Sequence, residues 1–265
     1  MALSRRRGFG RMARPRPLLL VALALIVSCA TVDAANLSGT ALRLVVDACS
    51  ADSAVTSLPA PCLKVVRSPD GGYVVLREPF GLRRTILSPI AAIPGIEDPR
   101  LLAPNAPNFF AMAWQERGEA TGAPSGRDGW IRMALAINSP QSRTQDQLHI
   151  HIACVKPVVA AALAKAAARI GTGRFRQIWF ARKAPPYWVE RIKADSLAGH
   201  NPLQLVAHGV PGAERHMDEM TIAVVGAWSR SAGPGFWILA TQSNPRIRFA
   251  AEAEGLLDRG CRAWR

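Results

Sequence analysis

The chain has 265 residues, a formal charge of +14 and 49% hydrophobic residues. That is enough for one sizeable domain with a proper core, or two small ones, and no low-complexity run, long linker or internal repeat interrupts it. The basic balance favours anionic partners, either phosphate-bearing substrates or anionic lipid head groups; Lys and Arg are scattered, which argues against nucleic acid.

Residues 1–34 read as an export signal or an N-terminal membrane anchor. Six arginines (Arg5, Arg6, Arg7, Arg11, Arg14 and Arg16) and no acid precede an unbroken apolar run from Leu18 to Val27. This order is that of an export segment, although the run is shorter than the roughly 20 residues that span a bilayer comfortably. Val32-Asp33-Ala34 is an acceptable cleavage site, and Ile26-Val27-Ser28-Cys29 loosely matches a lipoprotein site. Cleavage, retention and lipidation of Cys29 therefore all stay open. In each case the arginines remain in the cytoplasm and residues 35–265 are exported.

Residues 35–265 read as one domain. Leu37 to Ala48 has helical spacing through Leu37, Leu42, Val45 and Val46. Gly72 to Arg77 is a strand following the turn signal Asp70-Gly71, with Thr85-Ile86-Leu87 as its partner. A proline-rich loop runs from Pro89 to Pro107, and Asn108 is placed to cap a helix from Phe109 to Arg117. Trp130 to Asn138 reads as a strand, Ser139 to Asp146 as a polar connection, and Gln147 to Val155 as a second strand. Pro157 then opens an alanine-rich helix that Gly171 can end. Met220 to Ala227 and Phe236 to Thr241 are strand-like, joined by a turn at Gly233-Pro234-Gly235. Strands and helices mix without β-α alternation, so the fold class is α+β.

The run Gln147-Leu148-His149-Ile150-His151-Ile152 carries the chemistry. Residues two apart on a strand share a face, which sends Gln147, His149 and His151 to one side. Two adjacent imidazoles are chemically competent near neutral pH. They suit catalysis, or metal ligation if His200, His208 or His216 supplies a third ligand. The preceding loop shifts the balance. Asn138, Arg143, Thr144, Gln145 and Gln147 offer hydrogen-bond donors around the pair, which suits a phosphate better than a cation.

Four cysteines remain beside Cys29: Cys49, Cys62, Cys154 and Cys261. An even number in an exported chain favours disulfides, and no Cys-x-x-Cys spacing supports a metal site. Three pairings are possible on paper. Cys49 with Cys62 is the simplest, leaving Cys154 to pin Cys261.

Several stretches now line up with a known group: Gly72 to Leu76, Pro107 to Phe110, Ala113 to Gln115, Leu135 to Ser139, Arg143 to Gln145, His149-Ile150-His151 and Leu239 to Gln242. From about Leu42 to the C-terminus the chain resembles the histidine-triad superfamily of nucleotide hydrolases and transferases, and most closely its CDP-diacylglycerol pyrophosphatase branch. The resemblance implies a histidine-triad-like antiparallel sheet with flanking helices and a C-terminal strand-containing extension. It implies that His149 is a nucleophile toward phosphorus and that His151 contacts the reacting phosphate. Asn138 and Thr144 match phosphate-loop contacts, and Gln147 stands where the superfamily has its first histidine. The implied reaction is hydrolysis of CDP-diacylglycerol to CMP and phosphatidate, with no metal or cofactor demanded. The implied setting is the cell inner membrane, with the body on its periplasmic side against the membrane surface. The sequence does not give an oligomeric state.

Overall fold

A computed structural model describes residues 39–54, 59–69, 71–78, 84–120, 125–180, 185–258 and 261. The expected export segment, residues 1–34, lies outside the described residues. Among these, no helix is long and apolar enough to cross a membrane.

Ten strands form one sheet: β1 (Lys64–Val66), β2 (Tyr73–Arg77), β3 (Thr85–Pro89), β4 (Met133–Ile137), β5 (Ile150–Val155), β6 (Arg176–Ile178), β7 (Tyr187–Ile192), β8 (Met220–Ser229), β9 (Gly233–Gln242) and β10 (Leu257–Asp258). Their order is β1-β2-β3-β5-β4-β8-β9-β7-β6, every pairing in it antiparallel. β3 covers the first half of β5 (Ile86 opposite His151), and β10 covers the second half on the same edge (Leu257 opposite Val155).

Helices cover both faces, each for a local reason. On one face lie α2 (Phe109–Gln115), capped by the Asn108 side chain on the Ala111 N–H at 3.0 Å, and α5 (Pro202–Gly209), capped by Asn201. They pack with Val75, Leu87, Leu135, Ile150, Ile152, Ile222, Val224 and Ile238. α3 (Gly126–Arg132) adds Trp130, whose indole N–H donates to the Gly235 carbonyl at 2.8 Å.

On the other face α1 (residues 39–54) lays Leu42, Val46 and Cys49 over Val74, Leu76 and Ile86. Beside it α4 (Pro157–Ala166), opened by Pro157, packs Val159, Leu163 and Ala166 over Ala134, Ala136, Ala153 and Val225. Those alanines let the helix sit close to the sheet. Cys49 is bridged to Cys62 and Cys154 to Cys261, as the spacing suggested.

The structure differs from the sequence reading in several places, among them these. Trp130–Arg132 end α3 rather than begin a strand, because Trp130 turns into the aromatic cluster of Trp114 and Phe236. The histidine strand begins at Ile150, with Gln147 in a bend before it. The β8–β9 turn is Arg230–Ala232, closed by Gly233 at φ +67°, a conformation open to glycine; Pro234 and Gly235 are already in β9. Finally, β8 and β9 are no appended extension. β8 bonds to β4 in the centre of the sheet and removes what would be an exposed edge there.

Candidate active site

His151 lies on the face covered by α1 and α4, at the seam between them. Its register partners are Ile86, in the cluster under α1, and Ala136, in the cluster under α4. His149 projects to the same side two residues earlier. The ring centroids are 4.9 Å apart and the planes nearly perpendicular at 81°.

The two imidazoles sit in opposite electrical surroundings. His149 Nδ1 lies 2.7 Å from the Gln147 carbonyl, which can only accept, so Nδ1 carries the proton and Nε2 keeps its lone pair. Burial, and then the neighbouring His151 charge, push its pKa down to about 4, so the ring is neutral near pH 7. His151 Nδ1 lies 2.5 Å from Glu78 Oε1. Its Nε2 is 2.8 Å from Glu254 Oε1, off the line of a good hydrogen bond and therefore an ion pair. Burial opposes the charge on His151, but Glu254 and Glu78 outweigh it and raise its pKa.

Arg84 closes the arrangement by pairing one terminal nitrogen with Glu78 and the other with Glu254. Burial would raise both carboxylates, yet His151 and Arg84 hold both low, Glu254 at about 2. Asn138 Nδ2 donates to Glu254 Oε1 at 2.7 Å, and Asn138 Oδ1 accepts from the Ala253 N–H at 2.9 Å. A buried ion set of this kind holds only when each charge is matched.

The other sequence candidates are placed unequally. Arg143 lines a narrow crevice, too tight for a water molecule, with Pro94, Gly95, Asn138, Gln147 and His149. Its guanidinium is paired with Glu97 at 2.6 Å and Asp146 at 2.9 Å. A Cβ at Gly95 would meet Arg143 Nη1 and the Glu97 carboxylate, so a side chain there would push that ion pair aside. Thr144 is exposed in the same loop. Gln145 instead reaches α1, its Oε1 accepting from the Leu42 N–H at 2.8 Å. The Gln147 amide nitrogen is within bonding distance of Ser88 Oγ, Pro89 O and Ala91 O, at 3.2, 2.8 and 3.1 Å. Gln147 thus ties the approach to His149 onto the end of β3.

Three residues at the site escaped the sequence reading: Glu78, Arg84 and Glu254. The alternation Val74, Leu76, Glu78 and the spacing Arg84, Ile86 put two of them on the histidine face, once the β3–β5 pairing is known. Glu254 has no local signal. For the rival metal reading, no three His, Cys, Asp or Glu side chains gather to hold an ion among the described residues. His208 and His216 are exposed.

A family model described as CDP-diacylglycerol pyrophosphatase matches residues 38–265. The chain belongs to that family. It is also similar to a curated CDP-diacylglycerol pyrophosphatase of Yersinia pestis, 38% identical over 212 residues, which cover 77% of this chain and 76% of that relative. The family match spans both histidines and the whole Glu78–Arg84–Glu254 set.

Proposed function

We propose that this chain hydrolyses the pyrophosphate bond of CDP-diacylglycerol, releasing CMP and phosphatidate, with His149 as the nucleophile on a histidine-triad-like frame. The observation that carries this reading is the 2.7 Å contact of His149 Nδ1 with the Gln147 carbonyl, which fixes the tautomer that leaves Nε2 free to attack. Family membership supplies the substrate.

Nε2 attacks the phosphorus of the CMP unit. The bond to the bridging oxygen breaks, phosphatidate leaves with that electron pair, and a nucleotidyl-histidine remains. Water then attacks the same phosphorus; the nitrogen–phosphorus bond breaks, CMP departs, and the water's spare proton goes to solvent. Catalysis of such a transfer is mostly positioning and electrostatic stabilisation of the phosphoryl oxygens. Arg143 and Asn138 border the crevice at His149 and are the nearest candidates for that work, with Thr144 in the same loop. Gln145 and Gln147 serve by holding the loop in place. The N-terminal segment and the basic body keep the enzyme at the periplasmic surface of the inner membrane, beside its lipid substrate.

The test is CMP release from CDP-diacylglycerol by the full chain in excess EDTA, run beside a folded His149→Ala variant. The expected result is turnover by the parent, a loss of at least about 10³-fold in the variant, and acid-labile nucleotide label trapped on the parent alone. Equal turnover by parent and variant would remove His149 from the mechanism. No turnover by either would remove the substrate.

A further inference from the structure

We infer that Glu78, Glu254 and Arg84 are positioning residues that lock His151 as a doubly protonated cation, and that His151 serves the reaction through His149 rather than through a ring nitrogen of its own. This rests on the reading of His149 as nucleophile and adds residues that neither the sequence motif nor the family description assigns.

The argument starts from the donor inventory. An ionised carboxylate only accepts hydrogen bonds, and a neutral imidazole has one N–H and one lone pair. Both ring nitrogens of His151 face carboxylate oxygens, at 2.5 and 2.8 Å. A neutral ring would set a lone pair against one of those oxygens in a buried site. The imidazolium donates to Glu78 through Nδ1 and sets its positive charge against Glu254 at Nε2. It also balances charge: His151 and Arg84 supply two cations, Glu78 and Glu254 two anions, alternating around a closed ring of contacts.

With both nitrogens taken, His151 could touch substrate only if Glu254 withdrew. The segment carrying Glu254 is fastened at several points. The Ala251 carbonyl accepts from Ser142 and Thr221 at 2.6 and 2.9 Å, and Ala251 N–H donates to Ser243 at 2.9 Å. The Ala253 N–H is held by Asn138, Lys156 N–H donates to the Leu256 carbonyl at 2.9 Å, and Cys261 is bridged to Cys154. The crevice beside His149 is bordered by Pro94, Gly95, Asn138 and Arg143, and by none of the four ring members.

A fixed cation beside His149 has two uses. It opposes a proton on Nε2, so the attacking lone pair survives well below the usual imidazole range. After attack, His149 itself becomes positively charged, because Nδ1 keeps its proton on the Gln147 carbonyl. The neighbouring cation then favours release of the nucleotidyl group to water. Glu254, contributed by the C-terminal segment, is what completes the site.

The experiment uses ¹⁵N-histidine-labelled full chain, with Glu78→Gln and Glu254→Gln as isosteric variants. In the parent, both ring nitrogens of His151 stay protonated between about pH 6 and pH 8. In each variant one of them loses its proton within that range. His151 is the strongest charge acting on His149, so the acid limb of kcat/KM in the variants moves upward by about one pH unit or more. kcat falls more than KM changes, and Glu254→Asp recovers part of it. A neutral His151 in the parent overturns the inference, as does an acid limb that stays or moves down in the variants. The nitrogen spectra require no substrate, so they decide the question even if CDP-diacylglycerol proves not to be hydrolysed. Should one variant fail to fold, the other and the parent spectrum carry the test.

Discussion

Ala136 of β4 has His151 opposite it on one side and Ala223 of β8 on the other, and Ala223 in turn has Leu239 of β9. A half-turn about the middle of the sheet therefore brings Leu239 to the place of His151, and Trp237 to that of His149. The same register count carries Arg84 onto Tyr187 and Glu78 onto Ile178. One half of the sheet fills these four positions with Glu78, Arg84 and the histidine pair, an ionic set that Glu254 completes from outside them. The other half fills them with Ile178, Tyr187, Trp237 and Leu239, all in or against the apolar cluster under α4. Backbone lattice alone does not decide where chemistry sits. An ionic set forms only where a distant segment supplies the last matching charge.

The two halves also differ in how they are held. The apolar half rests on ten-residue strands, β8 and β9, paired along their whole length. The ionic half carries both disulfides. Cutting Cys154–Cys261 with a double serine substitution should give the largest stability loss, about 5 kcal/mol for a separation of 107 residues in the chain-entropy model, against about 3 for the 13-residue Cys49–Cys62 loop. Urea midpoints of the two double variants check the order. Turnover per folded molecule should fall only for the first, whose bridge fastens the Glu254 segment. A larger loss from Cys49–Cys62 would mean that α1, not the C-terminal segment, is the weaker attachment.

Leu239→Ala, at the position matching His151, should cost about 2–5 kcal/mol by leaving a cavity in the apolar cluster, with turnover per folded molecule unchanged. Thermal unfolding and CMP release measured on one sample separate the two effects. Lost turnover without lost stability would erase the distinction between the halves.

How much of this was legible in the sequence follows from how local each signal is. Asn108 as a cap, Pro157 as a helix start and the face shared by His149 and His151 depend on residues a few positions apart, and they could be read directly. The disulfide pairs followed from an even count and one short spacing. Arg84 and Glu78 required knowing that β3 pairs with β5, which alternation within either strand does not reveal. Glu254 sits more than a hundred residues from His151 and is delivered by β10 and a disulfide. Gln145 and Gln147 looked like phosphate donors, but their amides also serve backbone groups of α1 and β3. Trp130 prolonged an apolar run across a change from helix to strand, which hydrophobicity cannot mark.

The smallest effect is also the one that separates the two histidines. His149 has a folded pKa of about 4 against an ordinary 6.5. Between those values the unfolded chain takes up a proton that the folded chain refuses, so stability rises with pH across the window, by about 3 kcal/mol in all. His151 is displaced the other way. Its contribution is fully present below pH 6.5 and is lost as pH climbs toward its raised folded value, because the folded chain then keeps a proton that the unfolded chain releases. The carboxylates of Glu78 and Glu254 act lower still, their contribution fading only as pH drops below about 4.5. Stability should therefore peak near pH 6.5, with slopes of opposite origin on its two sides. His149→Ala should flatten the acid slope and spare the alkaline one, while Leu239→Ala should lower the whole curve without changing its shape. Denaturant unfolding at a series of pH values reads this directly. A slope between about pH 4.5 and 6.5 that survives His149→Ala would place the titrating group outside the histidine pair.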